Sequence, residues 1–408
     1  MTAADLEQLR FVESADVYKG DRPAATLTRV VGGIEFRYSA DWVATGGSPV
    51  ATSLPVSADP LVTPGGALPS YFAGLLPEGR RLGVLRREVK TSADDELSLL
   101  LAVGADAIGD VQVVPAGTRP GDVPPRIATK DFTTISFADL LTELGIHAQR
   151  SALPGVQDKT SAAMINLPVA RSGERAILKL NPVDSFPYLV ENEAFFLDAA
   201  GRSGLAVPRH ELVADRDGSP GLLVHRFDRV TVDGAVRALA VEDGCQAADR
   251  PPADKYLLDT GRVFAVLTAV CDAPAVAGRD LLRQLAFAYL TGNGDAHAKN
   301  FSVLQDLTGE WRVSPAYDLP SSQPYGDSTM AMPIGGRTDA GLGSDAFVAL
   351  GEGLGVPPRA TRRMLGELTD RVDRWLPDLD RLPFDQGHIR KLRRVIDHRR
   401  KRLAGQSR

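Results

Sequence analysis

Cysteine is nearly absent: Cys245 and Cys271 are the only two in 408 residues, too few for a disulfide scaffold in so long a chain. They form no CxxC, and the six histidines (147, 210, 225, 297, 388 and 398) form no HExxH, so a zinc site is not expected. Long apolar runs are missing too. Val263 to Cys271 is typical of the longer ones, well short of the ~18–20 residues that span a bilayer, and no membrane partner is expected. The opening Met1-Thr-Ala-Ala-Asp-Leu-Glu7 lacks the basic-then-apolar order of a signal peptide. These absences together predict a reduced, cytoplasmic protein.

Charge of one sign is also lacking. There are 47 basic and 52 acidic residues, a net of −5, which excludes a dedicated, wholly basic nucleic-acid binder. The balance is uneven, because His388 to Arg408 holds nine Lys/Arg and one acid. This tail is +8 and the preceding 387 residues are −13. What is present is ordinary: 43% hydrophobic and 24% charged residues fit a globular protein and exclude disorder. The length predicts two or three domains, and no internal repeat is evident.

Along the chain, residues 15–113 read as one unit. Val17-Tyr18-Lys19, Ala25-Thr26-Leu27-Thr28 and Ile34-Glu35-Phe36-Arg37-Tyr38 are short strands separated by the hairpin signals Gly20-Asp21 and Gly32-Gly33. A helical pattern over Tyr71–Val89 is interrupted by Pro77, and Ser92-Ala93-Asp94-Asp95 is placed to cap a helix over Glu96–Val103. The Pro/Gly-rich passage Pro115–Pro125 reads as a linker. We place boundaries at 1–114 for an N-terminal subdomain, 115–130 for the linker, 131–240 for a mixed lobe and 241–408 for a helical lobe. In the mixed lobe, Ile177–Leu180 and Leu222–Phe227 are strands flanking a helix over Leu189–Ala200. The helical lobe has strong segments at Leu257–Val270, Leu281–Leu290, Ala346–Leu354, Ala360–Trp375 and His388–Leu403. A mixed lobe before a helical one predicts a cleft between them, where ligand sites favour lying.

The chemistry is concentrated in Thr291-Gly-Asn-Gly-Asp-Ala-His-Ala-Lys-Asn-Phe301. Asp295, His297, Lys299 and Asn300 crowd a glycine-bracketed loop between an apolar helix and a strand. After a turn at Leu307-Thr308-Gly309 and a strand Trp311–Val313 comes Pro315-Ala-Tyr-Asp-Leu319, with Asp318 expected at a strand end. Phosphoryl transfer needs a carboxylate to orient the hydroxyl nucleophile, and an amide oxygen with a second carboxylate to hold Mg²⁺ against phosphates. In protein kinases the catalytic Asp and metal-binding Asn have the spacing seen here for Asp295 and Asn300, and the second Asp follows a hairpin. Taken singly, Asp295 reads as a turn cap and Asn300 as a left-handed residue. The ordered triple favours the chemical reading.

Two upstream features fit a nucleotide. Pro154-Gly155-Val156-Gln157-Asp158-Lys159-Thr160 contains a single glycine, and reads either as a phosphate loop or as an ordinary hairpin turn. Lys179 interrupts an apolar strand, which is costly unless the lysine is paired or functional. Glu193 lies on the face of the next helix marked by Leu189, Phe196, Leu197 and Ala200, and is the expected partner; Glu191 points elsewhere and is expected in solvent.

Taken together, Gly155–Thr160, Ile177–Leu180, Glu191–Glu193, His225-Arg-Phe-Asp-Arg229, Glu242-Asp-Gly-Cys-Gln246, Gly294–Ser302 and Ala316–Leu319 resemble the HipA family of serine/threonine kinase toxins from bacterial type II toxin–antitoxin systems. Leu75–Gly79 and Gly104–Asp110 resemble that family's N-terminal subdomain. The resemblance implies an α+β, two-lobed protein-kinase-like fold with an extra N-terminal α+β subdomain. It implies ATP and Mg²⁺ as cofactors, Asp295 as catalytic base, and Asn300 and Asp318 as metal ligands. It further implies that Lys179, held by Glu193, contacts the phosphates with Gly155, Val156, Gln157, Asp158, Lys159 and Thr160 as the phosphate loop. His225, Arg226 and Phe227 would form the adenine-contacting hinge, with His297 and Lys299 also at the nucleotide site. The implied partners are a protein substrate such as an aminoacyl-tRNA synthetase, a helix-turn-helix antitoxin, and operator DNA bound through that antitoxin. One departure stands out: the loop serine that such proteins autophosphorylate is replaced by Ala152, with Ser151 one residue earlier.

Two other classes compete. A non-catalytic co-regulator of its operon would use the fold to hold an antitoxin. A metal-dependent hydrolase would use Asp295, His297 and Asp318, but has no use for Lys179. Elsewhere, the basic C-terminal segment reads as a surface helix or a DNA-facing patch. Pro320–Gly343 reads as an activation-type loop or a surface loop. Both cysteines and the tryptophans Trp42, Trp311 and Trp375 read as packing residues.

Overall fold

The computed structural model describes residues 3–121, 127–129, 131–143, 163–171, 174–182 and 186–405. The expected phosphate loop Gly155–Thr160, with Ser151 and Ala152, lies outside the described residues. The chain divides into two compact units. One comprises Met1–Pro124, Asp228–Asp254 and Leu304–Gly309; the other comprises Pro125–Phe227, Lys255–Val303 and Glu310–Arg408.

The first unit is built on a five-stranded antiparallel sheet of strands β1 (Ser14–Lys19), β2 (Arg22–Val30), β3 (Gly33–Tyr38), β4 (Leu61–Pro64) and β5 (Val111–Pro115), in the order β4-β3-β2-β1-β5. Strand alternation decides which face is covered. On β3, Ile34, Phe36 and Tyr38 turn into the core, while Glu35 and Arg37 face outward and pair with each other at 3.0 Å. The helical pattern around Pro77 resolves into two helices, Ser70–Gly74 and Gly79–Val89, as a residue without an N–H requires. Asp95 accepts a hydrogen bond from Ser98 N and caps the helix Glu96–Val103, whose Leu97, Leu99 and Leu100 complete the core.

Two of the motifs read from the sequence stitch this unit together. Arg229 donates to Gly109 O and Ala107 O, both at 2.8 Å, and Asp228 accepts from Gly109 N at 3.0 Å. Glu242 accepts from Thr52 N and Thr52 Oγ1 at 2.8 and 2.6 Å. Gln246 Nε2 donates to Tyr71 O at 2.9 Å. These polar side chains satisfy backbone groups of distant segments, so burial leaves them matched rather than orphaned.

The second unit begins with a mainly antiparallel sheet of β6 (Ile127–Ala128), β7 (Ile165–Arg171), β8 (Glu174–Leu180), β9 (His210–Ala214) and β10 (Pro220–His225). Its order is β6-β7-β8-β10-β9, with only β6 and β7 parallel. The helix Leu189–Arg202 packs against β9 and β10. The rest of the unit is helical: Thr260–Val270, Pro274–Thr291, Ser344–Gly353, Pro358–Asp370 and Gln386–Leu403. From Leu281 to Thr291 the Pro274–Thr291 helix is buried almost throughout, so it forms the axis of this part. Trp375 is fully buried, with the rings of Phe196 and Phe287 each 6.3 Å away, and its Nε1 donates to Ser203 Oγ at 2.8 Å. A sheet with one packed helix, followed by a helical part, is the kinase-like arrangement that the sequence predicts.

Arg399 departs from its surface reading. It lies within the basic Gln386–Leu403 helix but is only 1% exposed. Its guanidinium donates to Tyr289 O at 2.6 Å and Ser328 O at 2.7 Å, and its carbon stands 4.9 Å from the Tyr289 ring centre. Among the described residues no helix is long and apolar enough to cross a membrane. Both cysteines are buried, and neither is in a disulfide.

Candidate active site

Lys179 lies on β8, opposite Leu222 of β10 and Asn166 of β7, and is 5% exposed. An ammonium in such a place needs compensation, and two carboxylates provide it. Lys179 Nζ donates to Glu193 Oε1 at 2.7 Å and to Asp318 Oδ1. Glu193 is 0% exposed and comes from the Leu189–Arg202 helix, so the strand–helix pairing expected from the sequence is present. Burial works against the lysine charge, but Asp318 and Glu193 outweigh it and raise its pKa above the usual value. Burial pushes Glu193 up to about 7. Burial also acts on Asp318, yet the adjacent Lys179 charge holds it below the ordinary carboxylate range. One ammonium thus serves two carboxylates, and the more deeply buried one is the closer to taking a proton.

The neighbouring residue on the same helix does a second job. Asn192 Nδ2 donates to Ser321 O at 2.8 Å, and its Oδ1 accepts from Ser321 N at 3.0 Å. One helix therefore holds both Lys179 and the backbone just beyond Asp318.

Asp318 lies past the end of the strand Trp311–Val313, in irregular backbone rather than at the strand end expected from the sequence. Its φ is 52°, a left-handed conformation that Asp and Asn tolerate better than most residues. Asn293 Nδ2 donates to Asp318 O at 3.0 Å, and Asn300 Nδ2 donates to Asp318 Oδ2 at 3.2 Å. The metal-ligand pair expected from spacing thus stands side by side.

The loop bearing Asp295 is fixed by its entry. Gly292 ends the Pro274–Thr291 helix with φ 74°, and a Cβ there would stand 2.4 Å from Gln323 Cγ, so only glycine fits. Ser322 Oγ then accepts from Gly294 N at 2.7 Å and donates to Gly292 O at 3.0 Å. Asp295 N donates to Asn293 Oδ1 at 3.0 Å, and His297 N donates to Asn300 Oδ1 at 3.0 Å. Tyr256 Oη donates to Asp295 Oδ1 at 2.6 Å. Asp295, Asn300 and Asp318, with Met164 and Pro320, line one small cleft.

Other expected site residues lie differently. The His297 ring meets the Tyr256 ring edge-on at 5.0 Å. Lys299 offers its carbonyl to Tyr317 Oη at 2.7 Å. His225 ends β10, where Arg209 Nη2 donates to its Nδ1 at 2.7 Å; burial first, and then the Arg209 charge, lower its pKa. Arg226 N donates to Arg175 O at 3.1 Å, and the Phe227 ring lies 5.8 Å from that of Tyr317. Asn192, Tyr256 and Ser322 are not singled out by sequence reasoning, because their partners are far along the chain and no spacing rule links them; Asn293 is missed for its contact with Asp318, although its bond from Asp295 N is local.

The donors fit a hard divalent cation. An amide and a carboxylate stand adjacent amid an excess of negative charge, and Mg²⁺ takes oxygen ligands, often one or two from protein with the rest from phosphates and water. Among the described residues no cluster of three or more His, Cys, Asp or Glu could hold a metal ion, so a cation at Asn300 and Asp318 would complete its shell with phosphate and water oxygens.

Comparison with known proteins follows the geometry. Residues 15–114 match the HipA N-terminal domain and residues 151–376 match the HipA-like C-terminal domain. The chain belongs to the HipA family. It is 33% identical over 385 residues to the putative kinase Y4mE of Sinorhizobium fredii, covering 88% of this chain and 90% of that one. It is 27% identical over 364 residues to the serine/threonine-protein kinase toxin HipA of Shewanella oneidensis, covering 83% and 82%. The solved HipA of Shewanella oneidensis MR-1, in a complex with HipB and operator DNA, shares the fold with a TM-score of 0.78 at 22% identity, covering 96% of this chain and 97% of that one. As a HipA-family protein with these relatives, the chain is a kinase.

Proposed function

We propose that this HipA-family kinase transfers the γ-phosphate of ATP, with Mg²⁺, to a serine or threonine of a protein substrate, and acts as the toxin of a type II toxin–antitoxin pair. The observation that carries the reading is the buried Lys179 held between Glu193 and Asp318, with Asn300 and Asp295 on the same cleft. In this reading residues 131–240 form the N-lobe and 241–408 the C-lobe.

The chain's own groups have distinct tasks. Glu193 fixes the Lys179 ammonium, which binds a phosphate oxygen once it releases Asp318. Asn300 and Asp318 would hold Mg²⁺, which when bound neutralises charge on the phosphates. Asp295 accepts a hydrogen bond from the substrate hydroxyl and aims its oxygen at the γ-phosphorus; positioning and charge stabilisation supply most of such catalysis. His225 to Phe227 would meet the adenine, and Gly155 to Thr160 the phosphates, with His297 and Lys299 supporting the nucleotide end. The substrate we favour is a translation component such as an aminoacyl-tRNA synthetase, whose modification would arrest growth. The relative from Shewanella was solved with HipB and operator DNA, which supports a helix-turn-helix antitoxin as partner and DNA contact through it.

The test is phosphoproteomics of cells expressing the wild type beside Asp295→Ala and Asp318→Asn. Phosphosites and growth arrest present only with the wild type are expected. Unchanged phosphorylation in both variants would overturn the reading, and nucleotide binding with no transfer by the wild type would favour the co-regulator.

A further inference from the structure

The hydrogen bond from Tyr256 to Asp295 belongs to no sequence motif for phosphoryl transfer, yet it touches the group to which the reaction assigns the nucleophile. Tyr256 lies in the segment before the Thr260–Val270 helix, far along the chain from the loop it meets. Polar and ring contacts hold it there. Its Oη donates to Asp295 Oδ1 at 2.6 Å. Its ring meets His297 edge-on at 5.0 Å and 81°. The backbone beside it accepts from the same loop, Ala298 N donating to Lys255 O at 3.2 Å. Lys255 Nζ stands 5.2 Å from the Tyr256 ring centre.

A carboxylate can rotate about its Cβ–Cγ bond, and each oxygen offers two acceptor directions. A base that must accept a hydroxyl in one direction loses efficiency with every orientation it samples. An O–H···O⁻ bond of this length is of the strong, charge-assisted kind, and it fixes that rotation through Oδ1. Asp295 is itself 4% exposed and lines the cleft shared with Asn300 and Asp318.

We propose that Tyr256 is the positioning residue of the catalytic base: its hydroxyl locks the Asp295 carboxylate so that the second oxygen faces the substrate hydroxyl. This rests on the reading of Asp295 as base given above. Tyr256 acts through Asp295, so its loss affects turnover and leaves nucleotide binding intact.

The experiment compares wild type, Tyr256→Phe, Tyr256→Leu and Asp295→Asn in the full-length chain. MgATP turnover is followed with water as acceptor and with dephosphorylated casein as acceptor, nucleotide affinity with a fluorescent ATP analogue, and folding by thermal melting. Tyr256→Phe keeps the ring against His297 and removes only the hydroxyl. It is expected to melt like the wild type, bind nucleotide with unchanged affinity, and lose about tenfold in kcat, the equivalent of one lost hydrogen bond to a charged group. Tyr256→Leu is expected to show the same loss in kcat. Wild-type kcat in Tyr256→Phe would overturn the proposal, as would a loss confined to Tyr256→Leu, which would make the ring packing decisive. A drop in nucleotide affinity in Tyr256→Phe would also overturn it. Full activity in Asp295→Asn, or a wild type that turns over no ATP, would instead refute the reading of the base and leave the cause of failure plain.

Discussion

Replacing Lys179 by Met removes the ammonium that bridges Glu193 and Asp318 and keeps most of the side-chain volume. Glu193 is fully buried, and its Oε2 has no hydrogen-bond partner among the described residues, so Lys179 is its main compensation. Breaking a buried pair from one side typically costs about 3–5 kcal/mol. Burial already lifts Glu193 to about 7, so near neutrality it can escape part of this by taking a proton. We therefore expect about 3 kcal/mol at pH 7.5.

The pH dependence fixes the sign. A carboxyl whose folded pKa is raised keeps a proton that the unfolded chain releases, so its stability contribution falls as pH rises between the two values. For Glu193 that window runs from 4.5 to about 7 in the wild type, and it extends higher once the ammonium is gone. Lys179 stays charged throughout, because its pKa is raised. The Asp318 pKa is lowered, so its contribution is lost only in acid below the window. The deficit of Lys179→Met should accordingly shrink at pH 5.5. Urea unfolding of the second unit, followed by Trp311 and Trp375 fluorescence in a Trp42→Phe background, measures it. Adding Glu193→Leu should restore most of the stability and none of the phosphoryl transfer. A Lys179→Met chain as stable as the wild type at pH 7.5, or a deficit that does not change with pH, would refute the reasoning.

Three other outcomes follow from contacts of the same unit. Asn192→Leu leaves the Ser321 N–H and carbonyl without their partner, which should cost about 2–3 kcal/mol in urea unfolding and raise the KM for ATP by loosening the backbone beside Asp318. Gly292→Ala forces a side chain into a left-handed residue and against Gln323, so a loss of about 1–2 kcal/mol or more and of most turnover is expected; wild-type activity would show that the loop entry does not position Asp295. Arg399→Met removes a charged donor from the Tyr289 and Ser328 carbonyls and should lower the melting temperature by several degrees, while Arg394→Met, on the exposed side, should leave it unchanged.

How much of this was legible in the sequence depends on the range of each contact. Helix and strand identities followed from periodicity, and caps such as Asp95 from residues a single turn away. The Lys179–Glu193 pair was readable because a charge on an apolar strand and a charge on an apolar helix face each demand an opposite partner. The third member, Asp318, was readable as a candidate site residue but not as a partner of Lys179, since nothing local links them. Tyr256 acts through Asp295, and Asn293 through Asp318 as well as its near neighbour Asp295; both look like ordinary polar loop residues until the chain is folded. Arg399 falls at helical spacing on the buried face marked by Ile389, Leu392, Ile396 and Leu403, so its burial was open to a periodicity reading; what no local pattern shows is its partners, the Tyr289 and Ser328 carbonyls.

Asn192 and Glu193 are consecutive on one helix, and each has its own distant partner. Successive residues on a helix turn by about 100° and rise about 1.5 Å. A substitution at the partly exposed Glu191 therefore disturbs neither partner, whereas deletion of one residue upstream would swing both away together. This segment is therefore constrained in length as well as at Asn192 and Glu193: an insertion just upstream would take both contacts away even if every side chain in it were kept.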